Sequence, residues 1–193
     1  SYCIVDPANS ATCGAGPYTV ANVGTWSINQ ATGAVTFTPT ATYTGTTTIG
    51  VKATNSAGQS TSAGTQSVTV VAPPTVAPAT VSVGIGQSGA LTPVITPTTG
   101  ATINYAATCI VDPADSVCKT TVTTVDGTYV VDVTTGVVDF TASNSATAGV
   151  KSPLTYRVTD SLGQTATATL TVTITAPLPT ITGASATTVT TTP

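Results

Sequence analysis

The 193-residue sequence predicts an all-β protein built of two tandem, antiparallel β-sandwich modules. Three observations carry that prediction. One motif is written twice, about a hundred residues apart; apolar and polar residues alternate along most segments; and turn signals recur about every 8–12 residues, the spacing of short strands in a sandwich.

The repeat opens with Cys-Ile-Val-Asp-Pro-Ala, at Cys3 and again at Cys109, and a second cysteine follows each time, at Cys13 and Cys118. Gly24-Thr25-Trp26 answers Gly127-Thr128-Tyr129, and Val35-Thr36-Phe37 answers Val138-Asp139-Phe140. Asn55-Ser56-Ala57-Gly58 answers Asp160-Ser161-Leu162-Gly163. A period this long is a whole domain, since a solenoid unit spans roughly 20–50 residues.

Within each copy the expected elements follow in order. Trp26-Ser27-Ile28 and Val35-Thr36-Phe37 form two strands joined by a turn at Thr32-Gly33, with Thr135-Gly136 the counterpart. Asn55 and Asp160 each start a type I turn that Gly58 or Gly163 closes, because a short side-chain oxygen bonds the backbone ahead and glycine supplies the positive φ. The clearest strand is Thr165–Thr175, where Ala166, Ala168, Leu170, Val172 and Ile174 share one face and threonines take the other. Ser67-Val68-Thr69-Val70-Val71 is its counterpart. Copy two also has a leader with expected strands at Ala79–Val83, Leu91–Ile95 and Ala101–Ala106, which copy one lacks. No long segment shows helical spacing, and the sum is an immunoglobulin-like sandwich.

Proline clusters at Pro73-Pro74 and at Pro177 and Pro179 cannot continue a strand ladder, so boundaries are placed there. The expected domains are residues 1–73, a sandwich lacking its N-terminal strands; 74–177, a complete one; and 178–193. Pro179-Thr180-Ile181 repeats Pro74-Thr75-Val76, so the last stretch is either the first strand of a following repeat in a longer secreted protein or a donor strand. In the donor reading Thr180, Ile181 and Val189 pair with the strand-deficient first domain of a neighbouring copy, polymerising subunits head to tail.

Composition excludes several classes. Four cations and seven acids give a net charge of −3, with no basic footprint for DNA or RNA and no polybasic attraction to anionic membranes. No apolar run approaches the roughly 20 residues of a transmembrane helix. There is no His, no Met and no Glu, so acid–base and nucleophilic machinery has little to draw on, and no enzymatic activity and no cofactor are expected. Disorder, the bland reading of a Thr-rich chain, conflicts with 40% hydrophobic content in regular alternation.

The four cysteines allow three connectivities. The repeat favours local pairs, Cys3 with Cys13 and Cys109 with Cys118, since each copy holds both partners. The competing zinc reading needs about four converging Cys or His ligands with short spacing inside each pair, and a redox site needs Cys-x-x-Cys; neither pattern is present. Structural disulfides imply an oxidising compartment, extracellular or periplasmic.

Other candidates are weaker. Asp112, Asp115 and Asp126 suggest calcium in copy two, but copy one offers only Asp6 there. Lys52 suits an isopeptide bond, yet Arg157 stands at its counterpart and cannot form one. Trp26 and Tyr129 occupy equivalent positions and read either as core or as rings stacking on sugars, which would make this a carbohydrate-binding module. The threonine-rich faces are either solvated strand surface or acceptors for O-linked sugars.

Gly127–Phe140 and Tyr156–Ala168 together resemble the CshA-type fibril repeats of bacterial surface adhesins, as do Val35-Thr36-Phe37-Thr38-Pro39 and Tyr43-Thr44-Gly45-Thr46 in copy one. Copy two departs from that pattern at Thr141-Ala142-Ser143-Asn144, and the cysteine loops are not a hallmark of the family. The resemblance implies a stalk on the bacterial cell surface, without an active site of its own. Its partners would be neighbouring repeats or copies of itself, and host or surface glycans would be met through other parts of the full protein.

Overall fold

Strand follows strand from the first residues of the computed structural model, which describes residues 1–178. Thr180, Ile181 and Val189 lie outside the described residues. The chain divides into two compact units, Ser1–Ala72 and Pro73–Pro193.

The first unit has seven strands: β1 (Tyr2–Asp6), β2 (Asn9–Gly14), β3 (Tyr18–Val20), β4 (Gly24–Ile28), β5 (Val35–Pro39), β6 (Gly45–Ala53) and β7 (Gly64–Val70). They form one sheet in the order β2-β1-β6-β7 and another in the order β3-β4-β5. Alternation along β4 sends Trp26 and Ile28 inward, where they meet Ile4 of β1 and Ile49 of β6 to close the core. Tyr18, Val20, Val35, Phe37, Val51 and Val68 pack around these four but stay half-buried.

Among the described residues the second unit has twelve strands: β8 (Thr75–Val76), β9 (Ala79–Gly84), β10 (Ser88–Leu91), β11 (Ile95–Thr96), β12 (Cys109–Val111), β13 (Cys118–Lys119), β14 (Thr121–Thr124), β15 (Gly127–Val131), β16 (Val138–Ala142), β17 (Gly149–Val150), β18 (Leu154–Thr159) and β19 (Thr165–Thr175). One large sheet runs β13-β12-β18-β19, with β9 and β17 also on β19, a second runs β10-β16-β15-β14, and β11 pairs with β8 in a small two-stranded sheet. Between the two large sheets lie seventeen buried apolar residues, among them Leu91, Ile110, Phe140, Tyr156, Leu170 and Val172.

Three expectations need correction. Leu91–Ile95 is not one strand: β10 ends at Leu91 and β11 begins at Ile95, with Pro93 between them, which offers no N–H to a ladder. Ala101–Ala106 is not a strand. It holds a bridge from Ile103 to Asp160 and the start of a 3-10 turn at Tyr105–Ala107. The sheets are not wholly antiparallel, because β9 runs parallel to β19 from Ala79 beside Leu170 to Val83 beside Ile174.

The paired motifs have a common cause. Trp26 lies across from Phe37, and Tyr129 across from Phe140, each pair with ring centroids 4.5 Å apart. Tilted aromatic pairs contribute about 0.5–1.5 kcal/mol beyond their area. The glycine two residues before each central ring makes room for the Phe. Gly127 has φ +157°, and a Cβ there would strike the Thr141 carbonyl and come within 2.7 Å of the Phe140 ring; Gly24 has φ +155° and would meet Thr38 and Phe37 in the same way. On the outer faces hydroxyls pair across strands, Thr46 with Thr69 at 2.9 Å, Thr19 with Thr25 at 3.3 Å and Thr123 with Thr128 at 3.2 Å.

Gly127→Ala should therefore destabilise the second unit by about 1–3 kcal/mol from backbone strain alone, with the clash adding to it. Gly163→Ala, also at positive φ but with nothing within 4 Å, should cost less. Urea midpoints of the two variants compare them directly, and equal losses would contradict the packing role of Gly127.

Candidate functional site

The strongest chemical feature of each unit is its cysteine loop. Cys3 on β1 bonds Cys13 on β2, and Cys109 on β12 bonds Cys118 on β13, with Cα atoms 5.5 Å apart in both. That spacing sits in the usual disulfide range. β2 and β13 are outer strands of their sheets, so each bridge ties an edge strand to its neighbour.

The turn inside each loop is built from the repeated Asp-Pro-Ala. Asp6 Oδ1 accepts from the Ala8 N–H at 2.8 Å, and Asp112 Oδ1 from the Ala114 N–H at 2.9 Å. In the second loop the Lys119 ammonium bridges two carboxylates, Asp112 at 2.7 Å and Asp115 at 2.6 Å. The Lys119 hydrogen bond holds both carboxyls below their ordinary range and raises the Lys119 amine in turn. Lys151 pairs with Asp126 at 2.7 Å. The three carboxylates that suggested calcium are thus shared out between two amines. Among the described residues no three His, Cys, Asp or Glu side chains gather as metal ligands.

Sequence reasoning missed the Lys119 bridge, although a lysine four residues after Asp115 and directly after the second cysteine was a visible signal. It also missed Tyr156, fully buried, whose hydroxyl donates to the Gly136 carbonyl at 2.7 Å. Burial pushes that phenol up to about 12.

Trp26 is 0% exposed and Tyr129 2%. A ring with both faces in the core presents none to a sugar, so the stacking role considered for these residues is corrected to a packing role. Burial, with the nearby Asp126 charge, also raises the Tyr129 phenol to about 12. Lys52 and Arg157 stand at matching places, beside Cys3 and Cys109 in the strand register.

Turn carboxylates complete the picture. Asp132 accepts from the Thr134 hydroxyl at 2.6 Å, the Thr135 hydroxyl at 2.7 Å and the Thr134 N–H at 2.8 Å. These bonds, the Thr134 hydroxyl first, lower its carboxyl to about 2. Burial pushes Asp160 the other way, but the Thr98 hydroxyl and the Gln164, Leu162 and Gly163 N–H groups outweigh it and leave that carboxyl lowered. In the first unit the same turns are made by Asn29 and Asn55, whose side-chain oxygens accept from Ala31 and Ala57.

A tandem pair of disulfide-pinned β-sandwiches is the class these observations define. Residues 2–70 match the family model for the surface adhesin CshA repetitive domain. The match falls on the first unit, where Val35–Pro39 and Tyr43–Thr46 carry the resemblance. No curated protein matches the chain. Solved structures similar to it include mouse cadherin-23 EC22-24, at 14% identity and a TM-score of 0.36, covering 91% of this chain and 52% of that one. A Dscam isoform-specificity structure matches at 14% identity and 0.33, covering 90% and 37%. The N-terminal eight Ig domains of Down Syndrome Cell Adhesion Molecule isoform 1.30.30 match at 14% and 0.34, covering 82% and 22%. The chain therefore spans about half or less of the length of these neighbours.

Two outcomes follow. A lowered folded-state carboxyl contributes stability that is present above its unfolded value, near 3.9, and lost as pH falls toward the folded value of about 2. Asp132→Asn should flatten the acid loss of the second unit between those limits, read by circular dichroism, and leave the fluorescence of Trp26, the single tryptophan, unchanged. Reducing the bridges should cost each unit about 2–3 kcal/mol, the chain-entropy value for loops this short. Urea titration with and without reductant measures it, with Trp26 reporting the first unit alone.

Proposed function

We propose that this chain is a structural repeat segment of an extracellular bacterial surface fibre or adhesin stalk. Its work is mechanical: it spans distance and resists unfolding, and it performs no catalysis. Residues 1–73 and 74–177 serve as successive stalk modules, and Cys3–Cys13 and Cys109–Cys118 pin the edge of each. The observation that carries the reading is the match of residues 2–70 to a surface adhesin repeat, followed by a second copy of the same strand order and turn chemistry.

Two further points support it. The described carboxylates in the loops are held by lysines or by backbone and hydroxyl groups rather than turned toward a common substrate. Local disulfides suit modules that must keep their fold outside the cell, where the cytosol's thiol-reducing systems do not act. Residues 178–193 then join the segment to a following repeat or to another copy, with Thr180, Ile181 and Val189 in the joining strand.

Immunogold labelling of whole and sectioned source cells, with antibody raised against the purified chain, tests this reading. Gold is expected on surface fibres, at a distance from the envelope. Label confined to the cytoplasm would overturn it.

A further inference from the structure

Tension along a stalk enters each module where the chain enters it and leaves where the chain leaves. The second unit is entered at Pro73 and left at Pro177, just after β19. β19 therefore takes the pull directly at its C-terminal end. The strand that joins it to the entry is β9, which runs parallel to it over six residue pairs, from Ala79 beside Leu170 to Gly84 beside Thr175. Leu170 also pairs with Leu154 of β18, so β9 and β18 flank β19 on opposite sides.

The parallel direction decides how the pair meets the load. Ala79 receives the pull at one end of the pair and Thr175 passes it on at the other, about 16 Å away along the strands. Pulled so, β9 and β19 must slide past each other, and their evenly spaced ladder bonds are strained together. In an antiparallel pair the entry would lie beside the exit, and the bonds would break one at a time.

Side chains reinforce the ladder. Ala79 and Val83 of β9 are buried, as are Leu170, Val172 and Ile174 of β19, so sliding would drag apolar groups through a close-packed interior. The Thr175 hydroxyl donates to the Val83 carbonyl at 3.2 Å, at the end where the load leaves. β8, ahead of β9, is held by only two residue pairs, Thr75 with Thr96 and Val76 with Ile95, and yields first. The Cys109–Cys118 bridge joins β12 to β13, off the path from β9 to β19. It shortens the length of chain released on opening but does not hold the unit shut.

We infer that the parallel β9–β19 pair is a mechanical clamp that sets the force at which the second unit opens. The inference rests on the stalk reading, which supplies the tension, and deepens it by assigning that tension to one strand pair.

Single-molecule force spectroscopy of the 193-residue chain along two axes tests this. Held at its two ends, the chain should open its second unit at high force, with a release of roughly 300 Å while the bridge is intact. The second axis grips the N-terminus and a thiol introduced by Leu162→Cys, on an exposed turn before β19. That axis pulls β9 back over itself, so it should peel from β19 at a several-fold lower force. A pair of variants separates the clamp from the core, because forced opening reports the unfolding barrier and a urea midpoint the equilibrium. Val83→Ala in β9 and Gly127→Ala in β15 should both lower the urea midpoint, and only Val83→Ala should lower the end-to-end opening force. Equal forces along the two axes would overturn the inference. So would a Gly127→Ala chain that loses as much force as Val83→Ala for the same loss of midpoint. Immunogold on surface fibres beside equal forces would keep the stalk reading and remove the clamp; cytoplasmic label beside unequal forces would do the reverse.

Discussion

Each unit depends on a central aromatic ring held between two sheets. Trp26 and Tyr129 sit at the middle of a three-strand set, lie across from a phenylalanine and are reached from the opposite sheet by Ile4 or Ile110. A chain so rich in threonine has few large apolar groups to bury, and those it has must be used at one place. The glycine two residues upstream, the hairpin that brings the phenylalanine across and the alternation of the flanking strands all serve to seat that ring. Aromatic burial of this kind supplies the largest apolar area available to a unit this size.

The disulfides act on a different part of the problem. Each ties an outer strand to its neighbour, with Cys109 itself buried, and they act mainly by restricting the unfolded chain. In the second loop the Lys119 bridge adds order to a turn that already has its own Asp cap. Ion pairs this open to solvent stabilise little, so the bridge orients the loop more than it stabilises it. The first loop lacks a lysine and relies on the Asp6 and Asn9 caps alone.

Much of this was legible. Thr165–Thr175 is a strand end to end because its alternation is unbroken, and the Asn55 and Asp160 turns are written in side chains that bond their own backbone. The cysteine loops are legible as units, since both partners of each stand in one copy. Other features were hidden for physical reasons. Ile103 and Tyr105 alternate with polar residues as a strand would, but Gly100 and Asn104 turn the chain before a ladder can form. Period-2 patterning tells which face is buried and nothing about the partner or its direction, so the parallel pairing of β9 with β19 could not be read. The Lys151–Asp126 pair joins residues 25 positions apart, a contact that only the folded sheet creates. The burial of Trp26 could be weighed but not fixed, because a large ring at an alternating position is more often core but also suits a sugar platform.

The outward-facing hydroxyl pairs have a consequence for the medium in which such a protein works. Cross-strand bonds between Thr46 and Thr69, or Thr123 and Thr128, involve no ionised group. Seawater, fresh water and moderate acid leave them alike, since added electrolyte screens charges and threonine does not titrate. An exterior sewn together by neutral alcohols keeps its grip through swings of salinity that would loosen one stitched with lysine and glutamate.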